Sequence, residues 1–295
     1  MKEKVLYVEL PDGAKYRMVK VTDDGKIGIV YTEECSNNEE VTKANQTVAT
    51  TPTPLIGGTD VYHKENSTNY WYCKIKDGRD EFMFLSFGDI TKSDLLYDAN
   101  GKKRAFSTDG QRKFRENALK AIENKPAEGF RWIPVYEPSM GKNGEIQFVS
   151  GKDVLRWLDS YKWEKRLREY SPENESQEAP KTTYFLLLVK WLKDGHATLE
   201  QIADNSEGIG YFWGSNSKNA KHGFQKTGER EFGGLCGFAG NTLKEVKDPE
   251  SGFGFSVLGG CCNTYGYKSP LASVYYKDNP NRAMDISIGF LELKK

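Results

Sequence analysis

Two adjacent cysteines, Cys261 and Cys262, are the residues whose types and spacing most directly suggest chemistry. A pair of thiols can bind a soft metal or act in redox chemistry. On a strand, however, neighbouring side chains point to opposite faces, so adjacent thiols seldom act on one ligand. We therefore predict one buried thiol beside one at the surface. The sequence has five cysteines, an odd number, and they do not show the regular spacing of a disulfide-rich domain. Reduced thiols are therefore favoured over a disulfide scaffold.

Other catalytic signatures are missing from the sequence. It contains no phosphate-binding P-loop, no GxGxxG motif opening a helix, no HExxH and no GxSxG. The three histidines, His63, His196 and His222, have no companion histidine nearby and are predicted to be solvated loop residues. The 42 acidic residues leave paired-carboxylate chemistry open, but no spacing among them favours it. We predict that the protein is not an enzyme and has no catalytic residue, metal or cofactor.

The region near the C-terminus is unusual in composition. Four tyrosines lie between residues 265 and 276, and residues 261–287 are rich in Tyr, Ser, Asn, Asp and Cys. Tyrosine supplies broad contact area at low entropy cost, and Ser, Asn and Gly supply adaptable hydrogen bonds, as in antibody binding sites. This composition predicts a surface that binds a partner; the alternative is that the tyrosines pack the final strands. The candidate ligand-binding residues are Cys261, Cys262, Asn263, Tyr265, Tyr267, Ser269, Ser273, Tyr275, Tyr276, Asp278, Asn279, Asp285 and Ser287.

Hydrophobic periodicity indicates the elements that must position these residues. Alternating apolar residues and Asp-Gly turns predict strands within 4–31, and aromatic-rich runs predict strands at 70–75 and 81–87. Helical spacing predicts helices at 111–123, 151–170 and 181–193. The acidic segment 171–180 is predicted to be a loop. Thirteen of the 29 glycines lie between Gly208 and Gly260, which predicts loops and short strands from there to the end.

The predicted helix 151–170 has the clearest apolar stripe, and Ser150 is its predicted N-cap. Trp157, Tyr161 and Trp163 lie on that stripe, so we predict that all three pack in the core. Strands followed by helices and then by a loop-rich region with strands indicate an α+β chain.

Length and charge limit the classes of protein to consider. The chain has 295 residues, with 42 basic and 42 acidic side chains. This balance argues against binding to nucleic acid or to an anionic membrane, because both need a basic excess. The longest apolar run, 185–189, is far short of a membrane span, and the beginning of the sequence lacks the apolar core of a signal peptide. We predict a β-rich module at 1–40, a linker or extended crossing at 41–54, and one domain at 55–295.

Five sequence anchors in the last half of the chain resemble a known family. They are Phe148-Val-Ser150 with Asp153 and Trp157, Phe212-Trp-Gly214, Gly234-Leu-Cys-Gly-Phe-Ala-Gly-Asn241, Val257-Leu-Gly-Gly260 and Ile288-Gly-Phe290. Their order resembles the formylglycine-generating-enzyme (sulfatase-modifying factor) branch of the C-type lectin fold. The resemblance implies a C-type-lectin-like domain at 55–295.

The sequence departs from that family at positions that carry its chemistry. Lys244 stands where the family has a calcium-binding glutamate, and an ammonium cannot ligate calcium. Cys261 and Cys262 are adjacent, whereas the enzymes need two cysteines several residues apart. Glu137-Pro-Ser139 resembles a sugar-binding calcium motif but lacks its third ligand, and we predict a turn there.

A second branch of the fold, the variable proteins of diversity-generating retroelements, is more similar. These proteins diversify a C-terminal stretch through adenine-directed mutation of AAC codons, which cannot yield Glu, Gln, Trp, Lys or Met. Residues 251–291 contain no Glu, Gln or Trp, and Lys268, Lys277 and Met284 would be fixed scaffold positions. The resemblance implies a variable binding region at about 257–290 that contacts a protein or glycan receptor.

Such a protein would be displayed on a virion or microbial cell surface, and a viral receptor-binding protein is one example; without the resemblance, a cytoplasmic location is expected. Two alternatives are an oxidase of the formylglycine-generating kind that uses Cys261 and Cys262, and a structural surface protein. The sequence gives no indication of the oligomeric state.

Overall fold

The computed structural model describes residues 6–9, 15–18, 51–64, 67–212, 223–284 and 286–295. The chain divides into two compact units, residues 1–50 and 51–295, and this boundary falls inside the predicted connection 41–54. In the first unit, β1 (Leu6–Glu9) pairs with β2 (Lys15–Met18) in an antiparallel hairpin. Residues 19–31 of the region predicted to form strands, and residues 41–50 of the predicted crossing, lie outside the described residues.

The second unit begins with a four-stranded antiparallel sheet of order β3-β4-β5-β6. Its strands are β3 (Tyr62–Lys64), β4 (Ser67–Ile75), β5 (Asp80–Ser86) and β6 (Phe130–Pro134). The strands predicted at 70–75 and 81–87 are therefore confirmed. Lys76 and Asp77 have left-handed backbone conformations in the tight turn from β4 to β5, which an Asp-Gly sequence favours.

Five α-helices are found in the described part of this unit. They are α1 (Lys92–Leu96), α2 (Asp109–Glu123), α3 (Ser160–Tyr170), α4 (Lys181–Lys193) and α5 (Leu199–Ala203). The predictions for 111–123 and 181–193 are confirmed. Helix α2 starts two residues earlier than predicted, because the Thr108 side chain caps it by accepting a hydrogen bond from the Gln111 N–H.

The predicted helix 151–170 is wrong in its first half. Helix α3 begins at Ser160, and its N-cap is Asp159, whose side chain accepts a hydrogen bond from the Lys162 N–H. The preceding segment is held in a non-helical path, because the Leu155 N–H donates to the Pro138 carbonyl at 2.7 Å and Val154 forms a β-bridge with Ser139.

The aromatic stripe of this segment is divided as a result. Trp157 and Tyr161 are exposed, contrary to the prediction, whereas Trp163 is fully buried. Trp157 precedes helix α3 and does not follow its period, whereas Tyr161 and Trp163 lie two residues apart within α3, so their side chains point to different faces.

A second four-stranded sheet carries the C-terminal region. Its order is β14-β13-β12-β15, and only the β12–β15 pair is parallel. The strands are β12 (Leu243–Lys247), β13 (Phe255–Leu258), β14 (Val274–Tyr276) and β15 (Ser287–Gly289). The prediction of loops and short strands after Gly208 is confirmed for the described residues.

Three short antiparallel pairs complete the strands of this unit. They are β7 (Ser139–Met140) with β8 (Ile146–Gln147), β9 (Gln177–Glu178) with β16 (Leu291–Glu292), and β10 (Glu231–Phe232) with β11 (Leu235–Cys236). The predicted loop 171–180 therefore contains β9, together with a 3-10 turn at Pro172–Asn174.

Helix α4 lies at the centre of the main apolar core. Its buried Leu187 and Trp191 belong to one cluster with Met83 of the first sheet and Val246 and Leu258 of the second. Burying each such side chain stabilises the fold by about 2 kcal/mol. One helix that is apolar over most of its surface thus joins the core faces of both sheets. The architecture is α+β, with separate antiparallel and mixed sheets around a helical centre.

Candidate functional site

Three exposed tyrosines of the C-terminal region line one groove of about 620 Å³. Tyr267 is 52% exposed, Tyr275 40% and Tyr276 63%. We call this the tyrosine groove. Its opposite wall is the outer face of helix α2 and the Glu250 side chain. The predicted contact residues 267, 275 and 276 are therefore brought together on the surface.

Hydrogen bonds hold the tyrosine-bearing loop in place. The Ala272 N–H donates to the Ile202 carbonyl of α5 at 2.9 Å, and the Leu271 N–H donates to the Ser206 hydroxyl at 2.9 Å. Gly266 lies so close to this segment that a Cβ there would be 2.5 Å from the Glu207 nitrogen, so only glycine fits. The loop is thus fixed against α5 before any partner binds.

The tyrosine rings are positioned by their neighbours. The rings of Tyr265 and Tyr267 lie 5.3 Å apart, and the Lys268 ammonium lies over both, 5.2 Å and 5.8 Å from their centroids. The Tyr275 hydroxyl is 2.6 Å from the Ser269 hydroxyl. Such contacts reduce the side-chain entropy that binding would cost.

The charges around the tyrosine groove balance. Its lining includes three cations and three carboxylates: Lys113, Lys120, Lys268, Glu116, Asp204 and Glu250. Lys120 and Glu250 face each other with 2.7 Å between Nζ and Oε1. The groove therefore offers mixed polar contacts around aromatic rings and does not favour a strongly charged partner.

Four of the predicted ligand-binding residues are not at the surface. Cys261, Cys262, Ser269 and Ser287 are buried, so their side chains cannot take part in an exposed contact surface, contrary to the prediction. Ser269 instead supports Tyr275, and Ser287 lies in β15 against the rest of the sheet.

The remaining predicted contact residues are dispersed. Ser273 is half-buried and lines the tyrosine groove, whereas Asn263 is exposed outside its lining. Asp278 and Asn279 line a separate groove beside Trp157. Asp285 lies outside the described residues.

The adjacent cysteines lie in a turn and not on a strand. The Thr264 N–H donates to the Cys261 carbonyl at 2.9 Å, and the Cys261 N–H donates to the Thr264 hydroxyl at 2.9 Å. A turn does not alternate its side chains between two faces, so both thiols are buried and the prediction of one exposed thiol is wrong. Burial raises the pKa of the Cys262 thiol to about 12, which keeps it protonated at neutral pH.

The histidines also differ from their predicted surroundings. His63 is exposed, but its Nδ1 lies 2.8 Å from the Tyr70 carbonyl oxygen and its ring packs on Trp71. The His196 ring stacks on Tyr70 with 5.5 Å between centroids, so it is a packed residue and not a solvated one. His222 lies outside the described residues. Within the described ranges, no three His, Cys, Asp or Glu side chains are grouped to hold a metal ion.

A buried ion pair was missed by the sequence analysis. Lys244 and Glu137 are both buried, with 3.2 Å between Nζ and Oε1. The Lys244 ammonium also donates to the Thr242 carbonyl at 2.8 Å and to the Gly237 carbonyl at 3.2 Å. Asn241 donates to the second Glu137 oxygen at 2.5 Å. Burial lowers the pKa of Lys244, and the Glu137 carboxylate opposes this shift.

The turn predicted at 137–139 is not found, because Ser139 begins β7, and Glu137 instead has a structural role in this ion pair. The Lys244 ammonium is surrounded by oxygen atoms of Glu137, Thr242 and Gly237, and it neutralises the Glu137 carboxylate. A lysine in a short strand that also contains a glutamate and a second lysine, as β12 does, is ordinarily solvated, so the sequence gives no signal of burial.

No family model, curated protein or solved structure matches this chain. No helix in the described part of the chain is long and apolar enough to span a membrane.

Proposed function

We propose that this chain is a non-enzymatic binding protein that displays its C-terminal region, about 257–290, to a partner protein. The observation that carries the proposal is the tyrosine groove, in which Tyr267, Tyr275 and Tyr276 are exposed together on a fixed loop and strand. Exposed tyrosines held rigidly are typical of residues that dominate binding energy in protein interfaces. The balanced charges of the groove favour a partner recognised by aromatic and hydrogen-bonding contacts.

The fold we propose is C-type-lectin-like, of the formylglycine-generating-enzyme branch. Three of the sequence anchors support this proposal by their positions. Asn241 lies just before β12, Gly259 and Gly260 follow β13, and Gly289 ends β15. Two anchors that are distant in sequence, Asn241 and Gly259-Gly260, thus meet at one end of the antiparallel pair β12–β13, and the third lies on the neighbouring strand β15.

Within that fold, we propose a variable protein of a diversity-generating retroelement, displayed on a virion or microbial surface. The exposed positions of the region support it, because residues that vary must project from the scaffold. The DNA test is direct. We expect a near-copy of the sequence encoding about 257–290, differing at adenines and lying beside a reverse transcriptase gene; its absence would remove the diversification part of the proposal.

The oxidase alternative receives no support from Cys262, because a protonated and buried thiol is a poor nucleophile and metal ligand.

Binding is tested with a triple variant, Y267A/Y275A/Y276A, and a matched control, Y161A. Tyr161 is 51% exposed but lies outside the tyrosine groove. Surface proteins are extracted from cells that live alongside the source of this chain and are passed over the immobilised wild-type protein. The proteins that it retains are purified and titrated against each variant. Because each buried tyrosine anchor contributes about 1–2 kcal/mol, we expect the triple variant to bind at least about 100-fold more weakly. Equal binding by the triple variant, with Y161A unchanged, would contradict the proposal.

A further inference from the structure

Trp157 has a backbone conformation that is sterically unfavourable for a bulky residue. It has a left-handed backbone with φ of 66°, and its side chain is 61% exposed. A bulky residue rarely adopts this conformation, and an exposed indole does not stabilise the core. Residues kept in such strained positions cluster at binding sites.

The backbone on both sides of Trp157 is anchored. Leu155 and Leu158 pack against the core cluster that contains Trp163, and Asp159 caps helix α3. The indole is therefore presented from a fixed segment and does not sit on a loose loop.

The exposed indole forms one wall of a groove of about 430 Å³, which we call the Trp157 groove. Its other walls include Asp278, Asn279, Arg282 and the apolar Met284. It shares no lining residue with the tyrosine groove. Its volume lies in the range of sites for small molecules.

The polar groups of the Trp157 groove include both donors and acceptors. Within the described residues, the Asp278 carboxylate and the Arg282 guanidinium make no side-chain hydrogen bond or ion pair, and both are exposed. The Asn279 side-chain oxygen accepts a hydrogen bond from the Asn281 N–H at 3.0 Å, which fixes the amide.

The floor of the groove is electrically neutral. Lys277 lines it, but its ammonium is buried and lies 2.9 Å from a Glu245 carboxylate oxygen. With Asp278 opposite in charge to Arg282, the groove as a whole favours neither an anion nor a cation.

We infer that the Trp157 groove binds an uncharged saccharide unit. A pyranose has an apolar face of C–H groups, whose partial positive charge is attracted to the negative face of the indole. Its hydroxyls both donate and accept hydrogen bonds, which matches a carboxylate, an amide and a guanidinium placed together. This site is separate from the tyrosine groove, and the inference does not depend on the proposed protein partner.

The test uses the full chain and four neutral disaccharides: maltose, cellobiose, lactose and diacetylchitobiose. The indole N–H resonance of Trp157, assigned with W157F, is followed by heteronuclear NMR. We expect at least one disaccharide to shift it saturably, with a dissociation constant near about 1 mM. Ligand-detected saturation transfer then compares the variants. W157A and D278A should each weaken binding at least about tenfold, since each removes one of few contacts.

Y161A and Y276A are the matched controls and should bind the saccharide as the wild type does. Y276A also separates the two proposals, because it impairs the tyrosine groove alone. The inference is overturned if none of the four disaccharides shifts the Trp157 resonance at about 20 mM. It is equally overturned if D278A and W157A, shown by thermal unfolding to be folded, bind as tightly as the wild type.

Discussion

At the scale of single residues, the buried Lys244–Glu137 pair shows how charge is accommodated inside this protein. Lys244 donates to a carboxylate and to backbone carbonyls, and Glu137 also accepts from Asn241. Each charge is thus compensated by its partner and by dipoles around it. Removing one partner leaves the other charge buried and uncompensated.

We therefore predict that K244M destabilises the protein by about 3–5 kcal/mol. E137Q alone should also be destabilising, because it leaves the ammonium buried without its counter-charge. The double variant K244M/E137Q should be more stable than the sum of the single effects predicts, since no uncompensated charge remains. Urea unfolding of the four proteins measures this coupling, and strict additivity would contradict it.

At the scale of elements, strand β9 places the Glu178 carboxylate in the protein interior, where a negative charge is unfavourable. Glu178 is fully buried, and neither of its carboxylate oxygens has a hydrogen-bond partner among the described residues. Burial, followed by the nearby Glu245 carboxylate, raises the pKa of Glu178 well above its usual value, against the smaller opposing effect of Lys247. The short pairing of β9 with β16 fixes this side chain in the interior.

This shift predicts a specific pH dependence of stability. Above the ordinary pKa of glutamate, the unfolded chain releases the proton that folded Glu178 retains, so stability is lost as pH rises toward the raised pKa. E178Q removes the effect, and we expect it to be more stable than the wild type at neutral pH. Its advantage should shrink toward about pH 5, with a slope of at most about 1.4 kcal/mol per pH unit.

Glu164 of helix α3 provides the matched control for that measurement. A hydrogen bond from Lys247 lowers the pKa of Glu164, which is the opposite direction. E164Q should therefore lose a small amount of stability at neutral pH and lose less in acid. Urea unfolding at several pH values compares the two variants, and an E178Q protein that is less stable at every pH would contradict the prediction.

At the scale of the whole molecule, the reactivity of the cysteine thiols shows whether the second unit, residues 51–295, is folded. The four described cysteines, Cys73, Cys236, Cys261 and Cys262, are buried, and no disulfide joins them. They come from different strands and turns of residues 51–295. A reagent reaches all of them only when the core opens.

We predict that these thiols are protected in the native protein. In a C35S background, the native chain should react with an aromatic disulfide reagent only at the rate of unfolding, and fully after denaturation. The rate should rise with urea in parallel with unfolding followed by circular dichroism. Rapid reaction of one or two thiols in the absence of urea would contradict the burial of these four cysteines.

The sequence by itself determined the α+β class, the boundaries of α4 and the end of α2. Local signals decide these features: α4 is apolar over most of its surface between Pro180 and Asp194, and aromatic-rich runs flank the Asp-Gly turn of the first sheet. The sequence also indicated where exposed tyrosines are concentrated. It could not show that Tyr267, Tyr275 and Tyr276 share a groove with helix α2, because those residues are separated by more than 140 positions from α2.

Only the tertiary structure decided which of the remaining side chains are buried. Cys261 and Cys262 lie in a buried turn, the Lys244 ammonium is surrounded by oxygen atoms, and Trp157 precedes helix α3 with its side chain exposed. The physical reason is that burial depends on which distant segments pack over a residue. Backbone hydrogen bonds from Leu155 to Pro138, and charges paired across the core, outweigh the local pattern that the sequence displays.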